Sequence, residues 1–261
     1  MATVLITGAS AGLGLELAWQ LATARHDVVL VSRDAGRLER LAGQLRAAAG
    51  VDAEVLPADL AERDQVEKVA QRLRDPDRPV SFLANNAGLA VGEPFVGGDL
   101  AAHERAHEVM VRAVMVLSHA AAGAMVERGR GAILNVSSIA ALTAMGTYSA
   151  DKAWVRTFTE ALAIELKGTG VTATALCPGL VHTEFHQRAG ITDTYPEIAW
   201  LNADSVVAAA LADVRRGAVI STPSLRYGIL SEVTRLLPRA AVRAVSSDKR
   251  LRRHVAQESE S

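Results

Sequence analysis

Apolar and polar positions alternate in blocks of two lengths along this chain. Short runs rich in Val, Leu, Ile and Ala stand at Val4–Ile6, Val28–Val31, Ala53–Leu56, Val80–Ala84, Ala132–Val136, Val171–Leu176 and Ala218–Ser221. Between them lie longer stretches with apolar residues three and four apart, near 12–24, 35–48, 61–74, 99–128, 149–167 and 204–216. A short continuous run suits a strand covered on both faces, and a period of 3.6 suits a helix with one buried stripe. Regular alternation of the two predicts an α/β doubly wound fold, a seven-stranded, mostly parallel sheet with helices on both faces. In such sheets ligands sit beyond the strand C-termini, where the strand order reverses.

The last segment breaks this rhythm. From Arg226 to Arg253 eight basic residues face two acidic ones, net +6, interleaved with Leu225, Tyr227, Ile229, Leu230, Val233, Leu236 and Leu237 and interrupted at Pro238. This pattern predicts an amphipathic helical extension over 223–255, attached to a domain at 1–222, and a disordered polar tail at 256–261. The basic face either packs on the domain or a partner subunit, lies on an anionic membrane surface, or closes over a substrate site.

Composition narrows the classes. The 261 residues are enough for one large α/β core. No apolar run reaches the roughly 20 residues of a spanning helix, and the N-terminus runs straight into the first strand rather than showing a basic-then-apolar leader. A net charge of −1 gives no reason to expect nucleic-acid binding. The single cysteine, Cys177, excludes an intrachain disulfide, fits a reducing cytoplasm, and reads as a packed core residue at the end of its strand.

Chemistry enters at the strand ends. Thr7-Gly8-Ala9-Ser10-Ala11-Gly12-Leu13-Gly14 follows the first strand, and its glycines permit a tight turn, close backbone approach to a pyrophosphate, and helix–strand packing. The second strand ends in Ser32-Arg33, where a dinucleotide site for NAD usually carries an acid. Arg33 can pair with a 2′-phosphate and Ser32 can donate to it, so NADP(H) is favoured over NAD(H). Asp34 reads as the N-cap of the next helix. Further on, Tyr148 and Lys152 are four apart and share one helix face. An ammonium beside a phenol favours the phenolate, which predicts a tyrosine pKa drawn down toward working pH and a role as general acid or base.

With Asn85-Asn86-Ala87-Gly88, Ser138, Tyr148-x3-Lys152 and Pro178-Gly179 in order after the glycine turn, the chain resembles the short-chain dehydrogenase/reductase family over residues 3 to about 222. The resemblance implies hydride transfer between a nicotinamide and a carbonyl or alcohol on a fairly apolar small molecule. It casts Ser138, Tyr148 and Lys152 as catalytic, with Tyr148 and Lys152 also touching cofactor. Gly8, Ser10, Gly12, Leu13 and Gly14 would cradle the phosphates, and Ser32 and Arg33 the adenosine ribose. Asp59 and Leu60 would contact adenine, Asn86, Ala87 and Gly88 would line the ribose side, and Pro178, Gly179 and Thr183 would hold the carboxamide. It also implies a homodimer or homotetramer, and no catalytic metal.

Two departures stand out. Serine and tyrosine are ten apart, closer than the family's dozen, which shortens the loop Leu142–Thr147. The family's proton-relaying asparagine aligns with Met110, whose thioether is at best a weak acceptor. His107, one helical turn earlier, is a candidate substitute, and a cofactor-binding but catalytically impaired sensor or scaffold is the alternative function. The pairs His103/His107 and His182/His186 have metal-compatible spacing without a third ligand. Phe185, Tyr195, Trp200 and Leu201 suit either an apolar lid or core packing.

Overall fold

The structure is a computed structural model that describes residues 2–92, 94–183 and 196–246. The first six apolar runs form β1 (Thr3–Thr7), β2 (Asp27–Ser32), β3 (Ala53–Pro57), β4 (Val80–Asn85), β5 (Gly131–Val136) and β6 (Val171–Leu176). Two strands that the pattern does not announce, β7 (Leu180–Val181) and β8 (Trp200–Leu201), pair in parallel apart from the main sheet. The last run shrinks to β9 (Ile220–Ser221), which hydrogen-bonds only with the end of β6. The main sheet has seven parallel strands in the order β3-β2-β1-β4-β5-β6-β9. Its order reverses between β1 and β4, and their C-terminal ends open the crevice that holds the site.

Alternation along each strand sends successive side chains to opposite faces. Val4 and Ile6 join one core layer, with Leu17 and Ala18 of α1 (Gly12–Thr23) and Leu38 and Leu45 of α2 (Ala35–Ala49). Leu5 joins the other, with Val66 and Val69 of α3 (Arg63–Arg74). α4 (Leu100–His107), a π turn over Glu108–Arg112, and α5 (Ala113–Glu127) follow one another without a break. Together they make a 28-residue helix apolar and long enough to cross a membrane, although charged residues divide its apolar run in sequence. Its most apolar window is 61% buried, and α5 packs on α3, β4 and β5, so the segment is a core helix of this domain.

α6 (Gly146–Glu165) starts three residues before its predicted position, and α7 (Ala203–Arg215) covers the α1 face. The predicted extension is two helices, α8 (Leu225–Leu236) and α9 (Arg239–Ser246), divided at Pro238, which lacks the N–H that α8 would need to continue. They tie down the loop ahead of α6: Arg239 donates to the Leu142 carbonyl (3.2 Å), and the Ala144 N–H donates to Ser246 Oγ (3.1 Å).

Candidate active site

Residues from the ends of β1 to β6 line one cleft of about 900 Å³. The phosphate side is mostly backbone. Gly8 and Gly12 have φ of +66° and +55°, which other residues rarely adopt. A Cβ on Gly14 would lie 2.2 Å from the Gly8 carbonyl oxygen, so only glycine lets α1 start this close to β1. Ala11 precedes α1 without a side-chain cap, so the first N–H groups of the helix are left for an anion. Asn86 pins this turn to β4: its Nδ2 donates to the Thr7 carbonyl (2.9 Å), and its N–H donates to Thr7 Oγ1 (2.9 Å). Gly8, Ser10, Gly12, Leu13, Asn86, Ala87 and Gly88 all line the cleft, while Gly14 supports it from behind.

At the adenosine end, Ser32 and Arg33 line the wall beside Arg37, which spacing rules do not single out. Ser32 Oγ is buried and has no hydrogen-bond partner, an orphaned donor suited to a bound oxygen. Asp34 also lines this end, where its carboxylate caps α2, accepting from the Arg37 N–H (2.9 Å), and pairs with the Arg37 guanidinium (3.5 Å). Asp59 and Leu60 lie at the same end. Burial opposes ionisation of Asp59, but the Ala61 N–H and then Arg105, bound to the carboxylate, hold its pKa below the usual range. Arg105 comes from α4 and is not foreseeable from the chain, because no sequence interval links it to Asp59.

The opposite wall carries the reactive side chains. Ser138 begins a 3-10 turn, accepting from the Ala140 N–H (3.1 Å), and hydrogen-bonds Tyr148 in the first turn of α6. Its neighbour Ser137 is buried and donates to the Lys152 carbonyl (2.7 Å), so Ser138 is the serine that faces the cleft. The Lys152 Nζ donates to the Val136 carbonyl (2.8 Å) and lies 5.8 Å from the centre of the Tyr148 ring.

The expected lowering of the tyrosine pKa is reversed in this protein on its own. Burial pushes Tyr148 up to about 12, with the Ser138 hydrogen bond pulling weakly the other way. Burial brings Lys152 down to about 8, opposed chiefly by the charge of Asp151. Sharing a helix face does not place the ammonium on the phenol oxygen, and desolvation of each group outweighs their mutual help.

Pro178, Gly179 and Thr183 close the far end of the cleft. Tyr227 of α8, another residue without a sequence signal, backs them. A Cβ on Gly179 would lie 2.2 Å from its ring, and its hydroxyl donates to the Ala199 carbonyl (2.5 Å). Met110 sits in the π turn, 1% exposed. A Cβ on Gly88 would have the Met110 sulfur at 3.8 Å and Lys152 Nζ at 3.7 Å, so Gly88 lies close to both side chains.

His103 and His107 each bind a residue of α6 rather than sharing a ligand. His182 bonds Glu197 (3.0 Å) and stacks on Trp200. Trp200 and Leu201 form β8; Phe185, His186 and Tyr195 lie outside the described residues. Cys177 is buried, and burial raises its thiol pKa.

A family model described as short chain dehydrogenase matches residues 2–193. Ketoacyl reductase HetN of Nostoc sp. is 32% identical over 242 residues, 90% of this chain and 82% of that protein. The structure of a short-chain dehydrogenase from Sphingobium yanoikuyae in complex with NADPH superposes with a TM-score of 0.83 at 37% identity, covering 90% of this chain and 94% of the other. For the bulky-bulky ketone specific alcohol dehydrogenase from Comamonas testosteroni the TM-score is 0.79 at 29% identity, covering 92% and 96%. The chain belongs to the short-chain dehydrogenase/reductase family and is an oxidoreductase with an NAD(P)-binding Rossmann fold.

Proposed function

We propose that the protein is an NADP(H)-dependent enzyme interconverting a carbonyl and an alcohol on a fairly apolar small molecule, with Tyr148 as the acid and base. The observation that carries this is the shared cleft: Tyr148, hydrogen-bonded to Ser138 and one turn from buried Lys152, stands in the wall facing the uncapped start of α1. A bound nicotinamide supplies or accepts the hydride. In reduction the substrate oxygen gains negative charge. Ser138 donates a hydrogen bond to it, and Tyr148, protonated at neutral pH, delivers the proton. Lys152 steadies the phenolate left behind. Oxidation runs these steps backward.

Preference for the 2′-phosphate is supported by the unpartnered Ser32 hydroxyl, by Arg33 and Arg37 at that end, and by Asp34 being occupied as a cap. The NADPH complex of the Sphingobium relative agrees with it. Leu89, Ala90 and Val181 give the cleft apolar walls, in keeping with a relative specific for bulky-bulky ketones. The test is NADPH and NADH binding, then absorbance decay with a panel of apolar ketones, aldehydes and diketones. Turnover with NADPH is expected. Tight NADPH binding without turnover on any substrate would overturn the catalytic assignment.

The protein works in the cytoplasm as a homodimer or homotetramer through α5 and α6, whose outward Met115 and Ile164 are exposed. Light scattering of the purified chain tests this, and a monomer would refute it. α8 presents an exposed stripe of Leu225, Ile229, Val233 and Leu236. Arg226, Arg235, Arg239 and Arg243 belong to the same extension, with Glu232 the one acid from 224 to 246, which suits an anionic bilayer. Removing the extension would take Tyr227 from behind Gly179, so changing the four stripe residues to serine is the cleaner test. Sedimentation of the unchanged chain with anionic vesicles is expected, and its loss in the serine variant; no sedimentation would end the idea.

A further inference from the structure

α4 and α6 lie side by side and are joined by two polar rungs. His103 Nδ1 meets Thr147 Oγ1 at 2.9 Å, and His107 Nδ1 meets Asp151 Oδ1 at 2.9 Å. Each α6 partner comes one residue before a proposed catalytic side chain, Thr147 before Tyr148 and Asp151 before Lys152. Successive helical residues are about 100° apart, so the rung face adjoins the face turned to the cleft. The four-residue interval of the two histidines matches that of their partners Thr147 and Asp151.

The second rung has an unusual energetic setting. Asp151 is 6% exposed, and its Oδ2 is buried with no hydrogen-bond partner. A carboxylate this deep and half-satisfied costs stability. Its nearest consequence is electrostatic. The Val136 carbonyl of β5 accepts from the Lys152 ammonium and the Tyr148 ring centre lies 5.8 Å away, while Asp151, its neighbour on the adjoining face of α6, and Cys177 after β6 are close enough to act on it through charge. Among them, Asp151 gives the largest opposition to the desolvation that disfavours the charged lysine. Facing Asp151 in turn is His107, whose side chain is 58% exposed. The pair therefore reaches from the shell of the lysine to solvent.

We propose that Asp151, held in place by His107, is a positioning residue that keeps the buried Lys152 in its ammonium form at neutral pH. The assignment rests on the proposed role of Lys152, but its first test does not require turnover.

The chain has four lysines, Lys68, Lys152, Lys167 and Lys249, so the side-chain NMR signals of isotope-labelled lysine can be assigned with a Lys152→Arg variant and titrated in the full-length, cofactor-free protein. Asp151→Asn should lower the Lys152 midpoint by about one unit. His107→Ala, at a half-exposed position, should lower it by about half as much, by freeing the carboxylate to turn away. A midpoint unmoved in Asp151→Asn overturns the proposal; if that variant does not fold, an unmoved midpoint in His107→Ala overturns it. The second readout is the pH profile of NADPH-dependent turnover, whose alkaline limb should move down by the same amount. A moved NMR midpoint in an enzyme that turns over no carbonyl refutes the proposed reaction and leaves the lysine tuning standing. Normal turnover with an unmoved midpoint does the reverse.

Discussion

The two walls of the cleft are made of different material. The phosphate wall is backbone, glycine and one pinning amide. Asn86 and Thr7 tie the ends of β1 and β4 together, and the space at Gly14 is closed by atoms that cannot move. The catalytic wall is made of ionisable side chains, and what they do depends on their charge state. Burial there drives Tyr148 up to about 12 and Lys152 down to about 8. One wall is set by sterics, the other by a contest between desolvation and neighbouring charge. Damage to the first should therefore appear as lost fold and lost binding, and damage to the second as lost rate with binding intact.

The largest effect expected on the catalytic wall is that of Tyr148→Phe. Removing the hydroxyl takes away the proton donor without opening a cavity, so kcat should fall by about 10²–10⁴. NADPH affinity measured by fluorescence should stay within about twofold, because a single neutral hydrogen bond contributes little to a large ligand. A variant that keeps the wild-type rate would refute the acid–base role. A variant that loses binding would erase the distinction between the walls.

Gly14→Ala is the matching break on the phosphate wall. The new methyl would lie 2.2 Å from the Gly8 carbonyl oxygen and 2.4 Å from Asn86 Nδ2, both held by the β1–β4 junction. Overpacking of this kind costs about 1–3 kcal/mol or more, so Tm should fall and NADPH binding should weaken with it. Gly123→Ala in α5 is the control: nothing lies within 4 Å of its Cβ, and it should be neutral or stabilising.

How far each wall can be read from the chain follows the same division. The strand runs, the glycine turn, and the two walls' main residues come from local pattern, and the structure brings them to one cleft. The pairs Asp59–Arg105, Gly179–Tyr227 and Asp151–His107 join residues from distant elements with no interval to announce them. β7 and β8 are two residues each, too short for any period to show, and β9 is held only by its contact with β6. Spacing gives the wrong direction for the tyrosine shift, because an interval of four sets a shared face and says nothing of solvent. Met110 is legible as a departure, but the rung that lies one turn from it is not.

Lys152→Met sharpens the catalytic side through stability. The folded pKa of about 8 lies below the ordinary 10.5. Between these values the unfolded chain holds a proton that the folded chain has released, so stability from this group rises with pH across that window. Below about pH 8 the interior carries the full cost of the ammonium, about 3 kcal/mol. Methionine removes that cost and leaves the Val136 carbonyl short of one bond, about 1 kcal/mol. The inactive variant should thus be more resistant to urea than wild type at pH 7, with the gap closing toward pH 10.5. Equal stability at pH 7 would mean the lysine is not held out of water.

The smallest effect expected is that of Met110→Asn, and it separates two views of this wall. If the missing asparagine were the limiting defect, restoring it should raise kcat at least tenfold. The surroundings argue otherwise. Met110 is 1% exposed, its sulfur lies close to Gly88, which has no side chain to donate or accept, and the Lys152 ammonium already donates to Val136. An amide buried there would have to leave water with its N–H groups unpaired, so it should cost about 1–3 kcal/mol of stability. The charge on Asp151 already supports Lys152 from the adjoining face, so kcat should change by less than about threefold. Urea unfolding and the NADPH-dependent rate of the same preparation decide the matter. A tenfold gain in rate would show that the protein works below its capacity, and an unchanged rate with lowered stability would show that methionine belongs to a catalytic wall balanced from behind by α4.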